Sequence, residues 1–203
     1  MLGRCVIKFA AATLLVLVSV RPGWAQAPRS GPGPARPVAP SPFARNAMGI
    51  EIAGALLTEA WNSNGTHEVV GEGTFGINWC FAEGIALVVQ FHAAGIAQAA
   101  PRAAFLNGFA PNVRFRLFSR RDFTWFVDVG AGVSWSDTTT PPRGTRFNFL
   151  LIANSGFMYK LKPQIYAVAS ARLLHLSNAS LFGRDRNPDI EALGGTFGIY
   201  FAF

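Results

Sequence analysis

Phe123-Thr124-Trp125-Phe126-Val127-Asp128-Val129-Gly130-Ala131-Gly132-Val133-Ser134-Trp135-Ser136 is the stretch that decides the fold. Phe123, Trp125, Val127, Val129, Ala131, Val133 and Trp135 recur at every second position. Thr124, Asp128, Gly130, Gly132, Ser134 and Ser136 fall between them. Successive side chains of a strand point to opposite faces, so this stretch predicts a strand with one apolar and one polar face. Trp125 and Trp135 stand ten positions apart on the apolar face. At roughly 3.3 Å per residue and a tilt near 40°, they are separated by about 25 Å vertically, the height of the apolar band of a membrane barrel. The apolar face therefore meets lipid, and the two Trp side chains mark aromatic girdles.

Outward from this strand the same grammar repeats. Eight alternating stretches are read at about 48–58, 67–82, 85–97, 103–118, 123–136, 146–161, 164–177 and 190–203. Short turns at 82–84, 119–122 and 162–163 alternate with longer polar connections near 59–66, 98–102, 137–145 and 178–189, as in outer-membrane barrels. The expected fold is all-β: an eight-stranded antiparallel transmembrane β-barrel over residues 46–203. Glu72, Asp128, Arg114, Arg116 and Arg172 fall on the interior face and are expected to pair in the lumen. The chain ends on Phe201-Ala202-Phe203, like the last strand of such barrels. A soluble lipocalin-like barrel would use the same alternation with its faces reversed. The Trp girdles and the terminal Phe favour the membrane version.

Composition agrees. Half of the residues are hydrophobic and 14% are charged, yet after the N-terminus no run reaches the roughly 18 apolar residues that a spanning helix needs. Residues 1–25 read as a secretory signal: Arg4 and Lys8, then apolar Phe9 to Val20, then a small-residue cut after Ala25. Cys5 leaves with it, so Cys80 is left alone, expected as an inert lumen residue with no disulfide. Residues 26–45 are Pro-rich and read as a flexible periplasmic tether. The formal charge of +7 loses Arg4, Lys8 and Arg21 with the signal, leaving +4. That suits an anionic lipid surface, and no basic run points to nucleic acid.

Two motif matches do not carry chemistry. Gly71-Glu72-Gly73-Thr74-Phe75-Gly76 fits a dinucleotide fingerprint but lies inside an alternating strand, without the helix N-terminus that the mechanism needs. His67-Glu68 begins a zinc-protease motif, but Gly71 stands where its second His belongs. The informative residues are His175-Leu176-Ser177-Asn178-Ala179 and Asn187-Pro188-Asp189-Ile190-Glu191. His175 and Ser177 continue the apolar series Ala167, Ala169, Ala171 and Leu173, which places them on the lipid side, with Ser170 and Arg172 turned inward to contact groups such as Asp128 or Arg114. Glu191 shares the parity of Phe197 to Phe203, provided no bulge at Gly194-Gly195 resets it. The strand order puts all three at the extracellular end. Polar groups facing lipid are costly, which makes function their default explanation. Loop polars beyond the strand ends are the alternative. The chemistry is coherent: His175 takes the Ser177 proton, Glu191 holds the second imidazole nitrogen, with Asp185 or Asp189 as the alternative third member, and Asn178 donates to an oxyanion.

This motif pair resembles the signature of the lipid A 3-O-deacylase family, also called acyloxyacyl hydrolases, H-x-S-N followed by N-x-G-x and an acid. The resemblance implies an eight-stranded outer-membrane barrel that hydrolyses the ester-linked 3-O-acyl chain of lipid A, with His175, Ser177 and Glu191 as catalytic residues and Asn178 at the oxyanion. It implies no cofactor and no metal, and lipid A of the outer leaflet as the partner; a homodimer stays open. Asp189 replaces the usual Gly, and the loop before it carries Arg184, Asp185 and Arg186. Arg184 and Arg186 are expected at lipid A phosphates. A non-enzymatic structural or adhesive barrel and a phospholipid esterase are the alternative functions.

Overall fold

A computed structural model describes residues 41–61 and 67–203. The expected signal segment 1–25 and residues 26–40 of the expected tether lie outside the described residues. The strands are β1 (Met48–Glu59), β2 (Val69–Ala82), β3 (Ile85–Ala97), β4 (Ala104–Arg120), β5 (Phe123–Thr140), β6 (Thr145–Lys162), β7 (Ile165–Ser177) and β8 (Ile190–Ala202). Each pairs antiparallel with its neighbours in sequence, and β1 pairs with β8, so the sheet closes into an eight-stranded barrel. Closure leaves no unpaired edge, the condition for a sheet to exist in hydrocarbon.

Burial settles the direction of the faces. Phe75, Ile77, Trp79, Phe91, Val129, Val133 and Trp135 are exposed on the outer wall, whereas Glu51, Glu72, Arg114, Asp128 and Arg172 are buried inside. A soluble barrel would show the reverse. The expected girdle partners form: Trp135 packs on Phe147 at the extracellular end, while Phe118, Phe123 and Phe157 cluster at the periplasmic end.

The lumen is filled in three layers. A band of ion pairs and hydrogen bonds runs through the middle: Glu51 to Arg114, Arg114 to Asp128, Asp128 to Asn154, Asn154 to Arg172, Arg172 to Glu72, and Glu72 to His92. Seven of the eight strands contribute a member. Above it, toward the extracellular end, lies an apolar cluster with Leu57, Ile96, Leu106, Leu150, Leu174, Leu176 and Ile190. Below lies a second, with Phe126, Met158, Tyr166 and Tyr200. A residual cavity between Asn78, Arg114 and Tyr200 measures about 10 Å³, which leaves no room for a ligand.

Four expectations need correction. Arg116 is not in the lumen network; it bridges to Glu83 at the periplasmic mouth, 2.8 Å apart. Arg172 points inward as expected but bonds Glu72 and Asn154 and reaches Asp128 only through Asn154, while Ser170 bonds Thr196. The connection expected at 137–145 is mostly strand: β5 runs to Thr140 and β6 starts at Thr145, with a register shift after Trp135. The β-branched run Thr138-Thr139-Thr140 favours this extension. Residues 41–45 of the expected tether are folded. Phe43 is only 2% exposed and joins the lower apolar cluster, and the Phe43 carbonyl accepts the Gly84 N–H. Cys80 lies buried in that cluster, as expected of an inert thiol.

The band carries a stability prediction. Arg172→Met removes one partner and leaves the Glu72 carboxylate short of its counter-charge in a dry lumen, a change that costs about 3–5 kcal/mol. Arg120→Ala, on the exposed end of β4, should stay within about 0.5 kcal/mol of the parent. Urea unfolding of the barrel in detergent micelles or lipid vesicles measures both.

Candidate active site

The register of β7 and β8 places the polar motif. His175 is directly opposite Glu191, with Leu176 opposite Ile190. Leu174, Leu176, Ile190 and Ala192 belong to the upper lumen cluster, so by alternation His175, Ser177 and Glu191 lie on the outer wall. Pairing of β8 is continuous through Leu193, Gly194, Gly195 and Thr196 on both sides. No bulge resets the parity of Glu191. Gly194 permits this continuity, because a Cβ there would lie 2.0 Å from the carbonyl oxygen of Leu56.

On the outer wall the three residues are nonetheless sheltered. His175 and Ser177 are 7% and 8% exposed, whereas neighbouring outward residues Leu151 and Leu193 are 40% and 46% exposed. The shelter comes from the chain's own return. After Ser177 the backbone turns through left-handed Ala179 and Ser180 and passes a single 3-10 turn, Arg184–Arg186. It then comes back to β8, held down by Asn178.

Within the site, His175 Nε2 lies 3.0 Å from Ser177 Oγ, a hydrogen bond. His175 Nδ1 faces Glu191 Oε1 at 3.8 Å, an ion-pair distance longer than a hydrogen bond. The backbone of Glu191 is fixed on its other side, where its carbonyl accepts the Ala60 N–H. Hydroxyl, imidazole and carboxylate thus follow one another in space. His175, Asp189 and Glu191 each offer an atom within 4.8 Å of the other two. They are the one group of this kind among the described residues.

Asn178 does something other than expected. Its Nδ2 donates to Thr145 Oγ1 at 3.0 Å and to the Arg186 carbonyl at 2.5 Å, and its backbone N–H donates to Asn187 Oδ1 at 2.9 Å. Every N–H of Asn178 is therefore taken, and the residue is a clamp joining β7, the start of β6 and the return loop. Asn187 and Thr145 were not singled out from sequence, whereas Asp189, an alternative third member on the sequence reading, does approach His175. Asn187 lay inside the quoted motif, and its fixed offset from Glu191 was the available signal. Arg184 and Arg186 are exposed on the return loop beside exposed Leu181 and Phe182 and do not join the site.

The barrel is similar to known outer-membrane proteins. It aligns with the crystal structure of the outer membrane enzyme PagL at a TM-score of 0.52 and 17% identity, covering 74% of this chain and 97% of that one. With Neisserial surface protein A the TM-score is 0.54 at 10% identity, covering 77% and 96%. Both likenesses concern the fold, which is that of a bacterial outer-membrane barrel. No curated protein matches the sequence. Residues 97–200, over half of the chain and containing the whole His175–Glu191 motif, match the family model described as Lipid A 3-O-deacylase (PagL). With closed barrel, outward site and family match in agreement, the chain belongs to the lipid A 3-O-deacylase (PagL) family.

Proposed function

We propose that this protein hydrolyses an ester-linked acyl chain of lipid A, at the 3-position, using Ser177 as nucleophile. The observation that carries the reading is the 3.0 Å contact of His175 Nε2 with Ser177 Oγ on the outward face of the barrel wall. A hydroxyl–imidazole pair facing the lipid meets an ester that never leaves the membrane.

The steps follow from the geometry. Ser177 Oγ attacks the ester carbonyl as its proton passes to His175 Nε2, and Glu191 stabilises the imidazolium. The tetrahedral intermediate collapses, the sugar hydroxyl leaves with the proton from His175, and an acyl-serine remains. Water then attacks, giving its proton to His175, and the fatty acid is released with Ser177 restored. With Asn178 fully engaged, the oxyanion falls to other donors. The backbone N–H groups of Ala179 and Ser180 follow next in the chain, and among the described residues neither has a hydrogen-bond partner. Their left-handed conformation turns the chain sharply beside the nucleophile. On this reading Leu181 and Phe182 rest in the acyl region while Arg184 and Arg186 reach lipid A phosphates.

Mass spectrometry of lipid A from cells with and without the protein tests the proposal. Expression should remove one ester-linked acyl chain. Ser177→Ala and His175→Ala should each abolish the loss while the barrel still inserts and folds. Unchanged lipid A under wild-type expression, or an active Ser177→Ala, would refute it; release of fatty acid from glycerophospholipid alone would make the protein a phospholipid esterase.

Asn178→Ala should lower kcat by roughly ten- to a hundredfold through loss of the clamp, an effect of misplacement and not of a lost oxyanion donor. Thr145→Val, which removes one of the clamp's acceptors, should lower kcat in the same direction, by less. Arg184→Ala with Arg186→Ala should raise KM several-fold and leave kcat near wild type, since those contacts would be the same in ground and transition states. Kinetics on detergent-dispersed lipid A separates these effects.

A further inference from the structure

Asp189 stands where the family pattern has Gly, and the structure gives it a definite place. The β7–β8 register sets Glu191 opposite His175 and Ile190 opposite Leu176. Continued by one step, it sets Asp189 opposite Ser177, on the same outward face as Glu191. A carboxylate oxygen of Asp189, one of Glu191 and a ring nitrogen of His175 lie within 4.8 Å of one another. Glu191 by itself stands 3.8 Å from Nδ1, outside hydrogen-bonding range. The segment carrying Asp189 is anchored close by, through Asn187 Oδ1 and the Asn178 N–H. The imidazole therefore faces two carboxylates, buried Glu191 on β8 and half-buried Asp189, the residue just before that strand.

We propose that Asp189 is a second positioning residue for His175, sharing with Glu191 the work of holding the ring toward Ser177 and stabilising its charged form. The proposal rests on the Ser177–His175 reading above. The physical reason is Coulombic: each carboxylate within a few ångströms of the ring favours the imidazolium that forms as Ser177 attacks. Acidic groups also lie around Asp189. Glu59, at the end of β1, is close enough to feel its charge, and Glu68 adjoins Glu59. The strand on the other side of His175 presents Leu151, which carries no charge. Two acids instead of one also explain how the site tolerates the long contact from Glu191.

The test uses the full-length protein in detergent or vesicles with lipid A as substrate, and compares Asp189→Asn, Asp189→Glu, Glu191→Gln and the double variant Asp189→Asn/Glu191→Gln. Wild type must be active and Ser177→Ala inactive; failure at that stage refutes the catalytic reading itself, and with it this proposal. Given that control, Asp189→Asn should lower kcat about three- to tenfold with KM unchanged. The acidic limb of its pH–rate profile should move to lower pH, because a ring with one fewer carboxylate neighbour protonates less readily. Asp189→Glu should restore most of the rate. Glu191→Gln should keep a measurable rate that the double variant loses. The proposal is overturned if Asp189→Asn leaves kcat and the pH profile unchanged in both backgrounds. It is equally overturned if activity falls with an unmoved pH profile and no rescue by Asp189→Glu, the pattern of a merely structural residue. Heat-modifiable gel migration confirms that each variant is folded.

Discussion

The chain of ion pairs and hydrogen bonds across the lumen, from Glu51 through Arg114, Asp128, Asn154 and Arg172 to Glu72 and His92, is the constraint on which the rest of the structure depends. An eight-stranded barrel has an interior just wide enough for side chains. Here three carboxylates meet two guanidinium groups and an imidazole, and each guanidinium is shared between acceptors from different strands. Such a band gains stability only if it is complete, since an unpaired charge in a dry interior is strongly unfavourable. It therefore fixes the relative register of strands far apart in sequence, β1 with β4 and β2 with β7. Apolar layers above and below keep water from competing for these bonds.

A full lumen has a consequence for where chemistry can occur. The charged band and the apolar clusters above and below it fill an interior only wide enough for side chains, so a lipid with several acyl chains is not processed inside. The inner face of β7 at its extracellular end is already committed: Leu174 and Leu176 belong to the upper core. Alternation then presents His175 and Ser177 to the outside, on a wall stiffened from behind. Rigidity of this kind is what a hydroxyl–imidazole pair needs, because a displacement of an ångström is enough to weaken it. The open side is closed by the return loop, and the Asn178 clamp to Thr145, Arg186 and Asn187 holds that loop down. The site is thus built from a strand pair that sets direction and a return loop that shelters the His175–Ser177 pair.

Much of this was legible in the sequence, and the reasons differ by element. The alternation of Phe123 to Ser136 revealed the barrel because lipid enforces a strict period of two on every outward position. The same parity, extended to Leu173 and Phe197, gave the faces of His175, Ser177 and Glu191, since neither strand is interrupted by a bulge. Arg116 was misassigned because parity names a face but not a depth. It shares the face of Arg114 yet sits at the mouth, where Glu83 and solvent reach it. The end of β5 was missed because its polar Thr run lies beyond the apolar band, where no hydropathy signal survives. Asn178 was given a chemical role from motif position; its clamp depends on Thr145, distant in sequence, and no local pattern encodes that contact. Phe43 looked like part of a tether because one apolar residue in a Pro-rich stretch has no period to betray its burial.

Depth in the membrane ties the fold to the proposed substrate. Ser177 is paired with Phe149, Phe149 with Val133, and the next outward pair on those strands is Trp135 with Phe147. Ser177 thus sits at the extracellular aromatic belt, just on its hydrocarbon side. Aromatic belts mark the boundary between headgroups and acyl chains. The ester linking an acyl chain to a sugar lies at that same boundary, with the chain below and the phosphorylated sugar above. A site deeper in the wall would meet only methylene groups, and one further out would meet only carbohydrate and water. The exposed pair Leu181 and Phe182 and the exposed pair Arg184 and Arg186 follow one another along the return loop, in the order that apolar chain and charged headgroup follow one another in the leaflet. The strand register that closes the barrel therefore also sets the level of the leaflet at which Ser177 would act.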